Sequence, residues 1–497
     1  MMQHADIQAL GALSGRYALA PDIALAAEGA MADPVLVIND GAFEAVIPAR
    51  DYRVGVDGPA PLRLSGTAII PGMLDVHHHI IEPFAKSLTC GEPAQLWRRF
   101  WLPMEAAATA RRVYIGAKWT FLEALRGGVT TIVDHGLRER ELAAAIHQAA
   151  DETGIRLVSS TGAYDASNFA ASGPTPEASA SIDRALAMAE QHIEDCRPFA
   201  RVTPSLACGT VQSNSPDMIK ALSRFCADHG LLFQIHANEH TLEVHACIEA
   251  TGYRPVELLH RLGALGPTTL VAHATLITSD EVRMLAETDT AVAYNPVASI
   301  WKGNAVTPAL DLLTAGVRVG LGSDATRNDG FRMLDAAETC QRLAYGLARD
   351  DFSCGAGWRW LDEATRGGAS AAQLGAVTGQ IAPGLRADFL VLDRTGPEVS
   401  PSWDFEWELV RFYDRADLLA TFVDGRAVSI LGRGVLFDAD AFMNEVMGEG
   451  IQWAYDSRML RLHGASGQHR PYAAETARRA YITKDNQPVL PRSIVKR

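Results

Sequence analysis

The stretch PGMLDVHHHI (71–80) sets three consecutive histidines behind an aliphatic run and an aspartate. Its reading depends on whether it is strand or helix. The preceding residues are β-branched and aliphatic, the composition of a buried strand. Successive strand side chains point to opposite faces, so His77 and His79 share a face and His78 points away. On a strand, His-x-His is a two-ligand clip for a metal ion; the alternative is three histidines that merely cap a strand.

Working outward, the chain alternates short β-rich runs with helical patterns. The expected strands are 67–79, 129–135, 155–162, 200–207, 231–237, 268–274, 290–296 and 317–324. Helical patterns lie between them at 110–128, 215–230 and 279–289. Ser215 before a proline, and Ser279 before acidic residues, read as N-caps. Strand–helix alternation repeated eight times favours an α/β fold of the (β/α)8 barrel type. The runner-up is an open doubly wound sheet, which would usually carry a glycine-rich turn after its first strand, and none follows His79.

The flanks differ. Residues 34–48 read as a hairpin turning at Asn39-Asp40-Gly41, and 379–393 and 418–428 are again short glycine-punctuated strands. This gives three expected units. A β-sandwich is built from both flanks (1–65 and 381–440), the barrel occupies 66–380, and a helical and polar extension covers 441–497.

In such a barrel, functional residues sit at the C-terminal strand ends. Those ends carry His77, His79, His236, His273 and Asp324, each closing an apolar run. Imidazole and carboxylate donors suit zinc or ferrous iron better than calcium or magnesium. His77, His79, His236 and Asp324 are the expected ligands of one divalent ion with a position left for water, and His273 is either a further ligand or a partner of that water. Glu239, three residues beyond His236, is placed to carry protons; its alternative is an ordinary carboxylate at a helix start. His240 and His245 read as structural or solvent-facing. Just past the strand ends, Glu82, Lys86, Trp97, Trp101, Gln212, Asn295 and Arg327 are candidate pocket residues. Glu82 and Gln212 would bond ring nitrogens, and Trp97 or Trp101 would stack on a flat ring.

Composition narrows the class. A 497-residue chain with 48% hydrophobic residues and a net charge of −14 fits a globular enzyme and argues against general nucleic-acid binding. The chain has no run of 18 apolar residues, so no membrane span is expected. The opening MMQHADIQALGAL lacks a basic stretch before an apolar core, so no secretory signal is expected. Seven scattered cysteines without a CxxC pair suggest reduced thiols in the cytoplasm, buried as small hydrophobes, with zinc–thiolate ligation as the minor reading.

The ordered set PGMLDVHHH, GGVTTIVDHG, IHANE, VAHATLIT, GLGSD and GQIAPGLRADFLVLD strongly resembles the amidohydrolase superfamily, nearest its branch of cytosine and guanine deaminases and triazine hydrolases. The resemblance runs over about 35–428. It implies a metal-dependent barrel with a discontinuous β-sandwich, with His77, His79, His236 and Asp324 as ligands. It also implies His273 polarising water or substrate, Glu239 as proton shuttle, and a homodimer or larger assembly. Binuclear relatives carry a carboxylated lysine at the end of the fourth strand. Here that strand has no lysine before Lys220, which points to one metal, zinc or iron. The segment 80–105 and the run after Asp324 depart from the nearest patterns, which leaves the substrate open. The expected activity is hydrolytic deamination of an amino-substituted purine, pyrimidine, triazine or pterin. The alternatives are loss of chloride or alkylamine, opening of a cyclic amide, or a metal-free scaffold.

Overall fold

The computed structural model describes residues 4–86, 88–89, 96–136, 139–162, 165 and 182–459. Cys90, part of the loop after the paired histidines and the end of the C-terminal extension lie outside the described residues.

Five strands come first: β1 (Tyr17–Ala26), β2 (Gly29–Ala32), β3 (Pro34–Asn39), β4 (Ala42–Pro48) and β5 (Leu62–Pro71). Eight follow: β6 (Met73–His78), β7 (Val129–Asp134), β8 (Arg156–Thr161), β9 (Val202–Thr210), β10 (Leu232–Ala237), β11 (Thr269–His273), β12 (Ala291–Tyr294) and β13 (Arg318–Leu321). The last four are β14 (Phe389–Asp393), β15 (Leu418–Val423), β16 (Arg426–Ile430) and β17 (Arg433–Gly434). Strands β6 to β13 pair in sequence order, all parallel, as one eight-stranded sheet. A bridge between His78 and Asp324 brings its two edges together, with Asp324 N–H donating to His77 O at 2.8 Å. The result is a nearly closed (β/α)8 barrel.

The other nine strands form a mixed sheet in the order β17-β16-β15-β14-β5-β1-β3-β4, with β2 on β1. It draws on both flanks of the chain, as β14 pairs with β5. The run 67–79, read from sequence as one strand, is two. Its first half ends β5 in the mixed sheet, and after Gly72 its second half becomes β6 of the barrel. Gly72 packs so tightly on Thr130 that a Cβ there would overlap the threonine side chain.

Local signals explain the helices between strands. Ser215 caps Pro216–His229 by accepting from Met218 N–H at 3.1 Å, with Pro216 in the first turn, where its missing N–H costs nothing. For Ser279–Glu287 the cap is Thr278, not Ser279. Thr278 and Glu281 each accept the other's backbone N–H, a reciprocal box that serine at 279 has no partner to form.

Barrel and mixed sheet are joined by charge as well as apolar packing. Arg156, at the start of β8 and 5% exposed, donates to Asp388 at 2.8 and 3.1 Å and to Asp424 at 2.6 Å. Asp388 also accepts from Thr378 and from Asp424 N–H, both at 2.8 Å. Removing one partner of such a buried network strands the other charge. Arg156→Ala should therefore lower stability by about 3–5 kcal/mol in urea denaturation.

Candidate metal and catalytic centre

Alternation alone would send the wrong histidine into the barrel. Leu74 and Val76 belong to the apolar cluster of inward strand residues that includes Val133, Val158, Leu232, Leu270 and Ala293. Strict period-two continuation from them would carry His78 inward. The register between β6 and β7 slips between Asp75 and His78, a bulge that restarts the alternation. His77 and His79 consequently face the mouth, and His78 turns to the seam, where its Nδ1 meets Ser323 Oγ at 2.8 Å. Asp75 completes that seam. It accepts from Ser323 N–H (2.9 Å), Asn328 (2.8 Å), His77 N–H (3.2 Å) and the Ser323 hydroxyl. Burial pushes its carboxyl up to about 7.

At the mouth, ligand atoms of His77, His79 and His236 lie within 4.8 Å of one another, as do those of His77, His273 and Asp324. His236 Nε2 is 3.3 Å from His79 Nε2, and Asp324 Oδ1 is 3.3 Å from His79 Nε2 and 4.0 Å from His77 Nε2. His236 Nδ1 meets Gly209 O at 2.8 Å; donation there leaves Nε2 as the lone-pair nitrogen facing the centre. Burial lowers all four imidazoles, His79 and His273 to about 3, so they stand neutral with lone pairs available. Both ring nitrogens of His77 are buried without a hydrogen-bond partner among the described residues. Such orphaned nitrogens facing a carboxylate and two further imidazoles fit a divalent transition ion.

The backbone is left-handed at Asn238 (φ 57°), His273 (φ 76°) and Asp324 (φ 58°), conformations that non-glycine residues seldom adopt. At β11 this turn brings His273 inward although the alternation from Leu270 favours Ala272. Gly322 makes room, since a Cβ there would overlap Asn295 Oδ1 and lie 3.0 Å from His77 Cβ. Asn295 Nδ2 donates to His273 Nδ1 at 3.2 Å, which leaves the ring proton on Nε2, 3.6 Å from Glu239 and 3.9 Å from Asp324.

Sequence reasoning missed Lys302, the cation of the centre. It comes from the segment after β12, ion-pairs with Glu239 at 2.9 Å and with Asp324, and lies 5.1 Å from the Trp101 ring centre. Asn304 also donates to Glu239 at 2.9 Å, and His240, solvent-facing as expected, also sets its Nε2 3.1 Å from the same oxygen. The signal was the run IWKGN: a lysine and an asparagine just beyond the end of the seventh barrel strand. Burial opposes ionisation of Glu239 and Asp324, but Lys302 and the adjacent imidazoles outweigh it and hold both below the usual carboxylate range.

The remaining candidates scatter. Glu82 is buried 4.0 Å from His79, and burial beside Glu105 pushes it far above the carboxylate range, so it is a neutral acid. Trp101 is buried against Lys302, whereas Trp97 is 38% exposed. Gln212 sits half-buried in the turn after β9. Lys86 pairs with Glu123 on the helix Ala110–Arg126, and Arg327 pairs with Asp329 two residues on, which holds both away from the centre's ion pairs.

The amidohydrolase family model matches residues 68–428. A 5-methylthioadenosine/S-adenosylhomocysteine deaminase of Nitratidesulfovibrio vulgaris (strain DSM 19637 / Miyazaki F) is 31% identical over 427 residues, 85% of this chain and 93% of the relative. One of the same name from Haloarcula marismortui is 29% identical, covering 84% and 92%. Among solved structures, a zinc-bound adenosine deaminase from Xanthomonas campestris superposes with a TM-score of 0.79 at 22% identity, covering 88% of this chain and 98% of that one. The zinc complex of atrazine chlorohydrolase TrzN from Arthrobacter aurescens TC1 gives 0.78 at 19%, covering 87% and 99%. At those identities the two structures speak for the fold.

Lys302 carries a measurable consequence. Removing its charge takes away a force that favours ionised Glu239, so in Lys302→Met the Glu239 pKa should rise and its carboxylate protonate at higher pH than in the wild type. Carbon-13 NMR titration of labelled glutamate carboxyls would register the shift; an unmoved Glu239 signal would deny Lys302 that influence.

Proposed function

The chain belongs to the amidohydrolase family, and on that premise we propose that it is a metal-dependent aminohydrolase that deaminates an amino-substituted N-heterocycle. The observation that carries the reading is the convergence of His77, His79, His236, His273 and Asp324 at one barrel end, with Glu239 at 3.6 Å from His273. We assign His77, His79, His236 and Asp324 as ligands of one divalent ion at the mouth, zinc before iron. Strand β9 offers no lysine to bridge a second ion, and the lysine that reaches the centre comes from beyond β12. When bound, such an ion lowers the pKa of a coordinated water towards ~7 and so supplies a nucleophile near neutral pH.

The chain's own groups do the rest. Glu239, held ionised, accepts a proton from the attacking water. His273, with its proton on Nε2, donates a hydrogen bond that orients that water, and Asp324 accepts on the opposite side. As the ring carbon becomes tetrahedral, charge moves to the adjacent ring nitrogen, and Glu239 delivers its proton there. A second transfer through Glu239, from the new hydroxyl to the exocyclic nitrogen, lets the carbon–nitrogen bond break with loss of ammonia, a far better leaving group than amide anion, and leaves a ring carbonyl. Glu82, as a neutral acid, can donate to a ring nitrogen or exocyclic oxygen, and Asn295 fixes the His273 tautomer.

The substrate class follows the relatives' printed names as far as adenine-type nucleosides, which make the first arm of a screen; pyrimidines, triazines and pterins make the others. We take the functional barrel as 66–380 and the flanks 1–65 and 381–440 as the second unit, with the first boundary moved to Gly72 because residues 67–71 of β5 pair with β14 in the mixed sheet. Residues 441–497 are the extension, and the helix Ala439–Asp456 leads into it. A reduced, cytoplasmic setting is supported by the six cysteines among the described residues, all buried and free. A homodimer or larger assembly is supported by exposed Leu343, Leu347, Phe352 and Trp403. Among the described residues no helix is long and apolar enough to cross a membrane.

Three variants test the reading. His77→Ala should lose the mouth ion and activity together, while His78→Ala should keep the ion and lose about 1–3 kcal/mol of stability through the broken seam. Glu239→Gln should keep metal and substrate binding but lose turnover by roughly 10²–10⁴-fold, followed as ammonia release. Near-normal turnover in Glu239→Gln would remove it from the mechanism and favour a leaving group that needs no proton.

A further inference from the structure

We propose that the helices Arg140–Thr153 and Ile182–Cys196 are pinned together by a second metal site, formed by His147, His192 and Cys196 and suited to a zinc-class ion. All three side chains are buried, and their donor atoms lie within 4.8 Å of one another. His192 and Cys196 are four residues apart on one helix and so share a face; His147 reaches them from the neighbouring helix.

The distances are those of a coordination shell. Cys196 Sγ is 3.7 Å from His147 Nε2 and 3.7 Å from His192 Nε2. A tetrahedral ion with sulfur at about 2.3 Å and nitrogen at about 2.0–2.1 Å sets its sulfur and nitrogen donors about 3.6 Å apart. A fourth donor stands beside them on β8. Ser159 Oγ is 2.8 Å from His147 Nε2, and Ser159 O is 2.9 Å from His192 Nε2. In exchange for those hydrogen bonds, the serine hydroxyl can take the remaining position.

The chemistry selects the ion. One thiolate and two imidazoles suit zinc and cobalt and reject magnesium and calcium, which prefer oxygen. Burial pushes the Cys196 thiol up to about 12, so without an ion it is a neutral thiol, and metal uptake releases its proton to solvent. Phe199 packs against His147 with ring centres 5.6 Å apart, so one flank of the cluster is apolar. None of the three side chains has a part in the reaction proposed at the mouth, so the second site is a cross-link between helices flanking β8.

The donor sets make the two sites spectroscopically distinct, because among the described residues the mouth cluster offers only nitrogen and oxygen. Protein stripped by chelator and saturated with Co2+ should show thiolate-to-cobalt charge transfer in the near ultraviolet and bind two ions per chain. The band should persist in His77→Ala and vanish in Cys196→Ala, each variant binding one ion fewer. X-ray absorption of zinc-loaded wild type should show a sulfur neighbour at about 2.3 Å. Circular dichroism checks that Cys196→Ala folds; if it does not, the wild-type spectra decide alone. A cobalt-saturated wild type with no thiolate band and no sulfur neighbour overturns the proposal, as does a band that survives in Cys196→Ala.

Discussion

The closing of the barrel between β6 and β13 is the constraint on which the rest depends. One backbone hydrogen bond, Asp324 N–H to His77 O, brings the first and last strands together exactly where both carry mouth residues. The Asp75–Ser323–His78 cluster holds that seam from behind, with its hydrogen bonds made inside the protein where water cannot compete. Had the edges met one residue out of register, His77 and Asp324 would face opposite sides of the wall. The histidine that does not face the mouth is therefore as consequential for the geometry as the two that do.

Charge at the mouth is arranged around burial. Two buried carboxylates, Glu239 and Asp324, stay ionised because Lys302 and the imidazoles face them; for a third, Glu82, burial and the neighbouring Glu105 outweigh the pull of Lys302 and push its carboxyl well up. Carboxyl groups of one chemical type are thus pushed in opposite directions by their surroundings, which suits one to accept a proton and another to donate one. The left-handed backbone at His273 and Asp324 is the strain that fixes this arrangement.

The mixed sheet contributes by anchoring. Its clamp on Arg156 fixes the start of β8, whose later residue Ser159 backs the His147–His192–Cys196 cluster. The barrel wall is thereby held at its N-terminal rim and between two of its outer helices, while the opposite rim carries the strained mouth. Stability and chemistry are divided between the two ends, as expected for strands whose C-terminal ends face the reaction.

The sequence by itself determined the eight parallel strands of the barrel, the β character of its flanks and the five side chains brought to the mouth, because each of those five ends an apolar run whose period and length are local properties. It also marked His77 and His79 as the pair sharing a face. The reason, however, came from the fold. Leu74 and Val76 alone would have turned His78 inward, and only the bulge against β7 reverses that parity. The division of 67–79 between two sheets, the seam role of His78 and the arrival of Lys302 and Asn304 at Glu239 were decided by tertiary structure. Pairing register and contacts between residues sixty or more positions apart are set by which surfaces meet, and local composition does not encode that meeting.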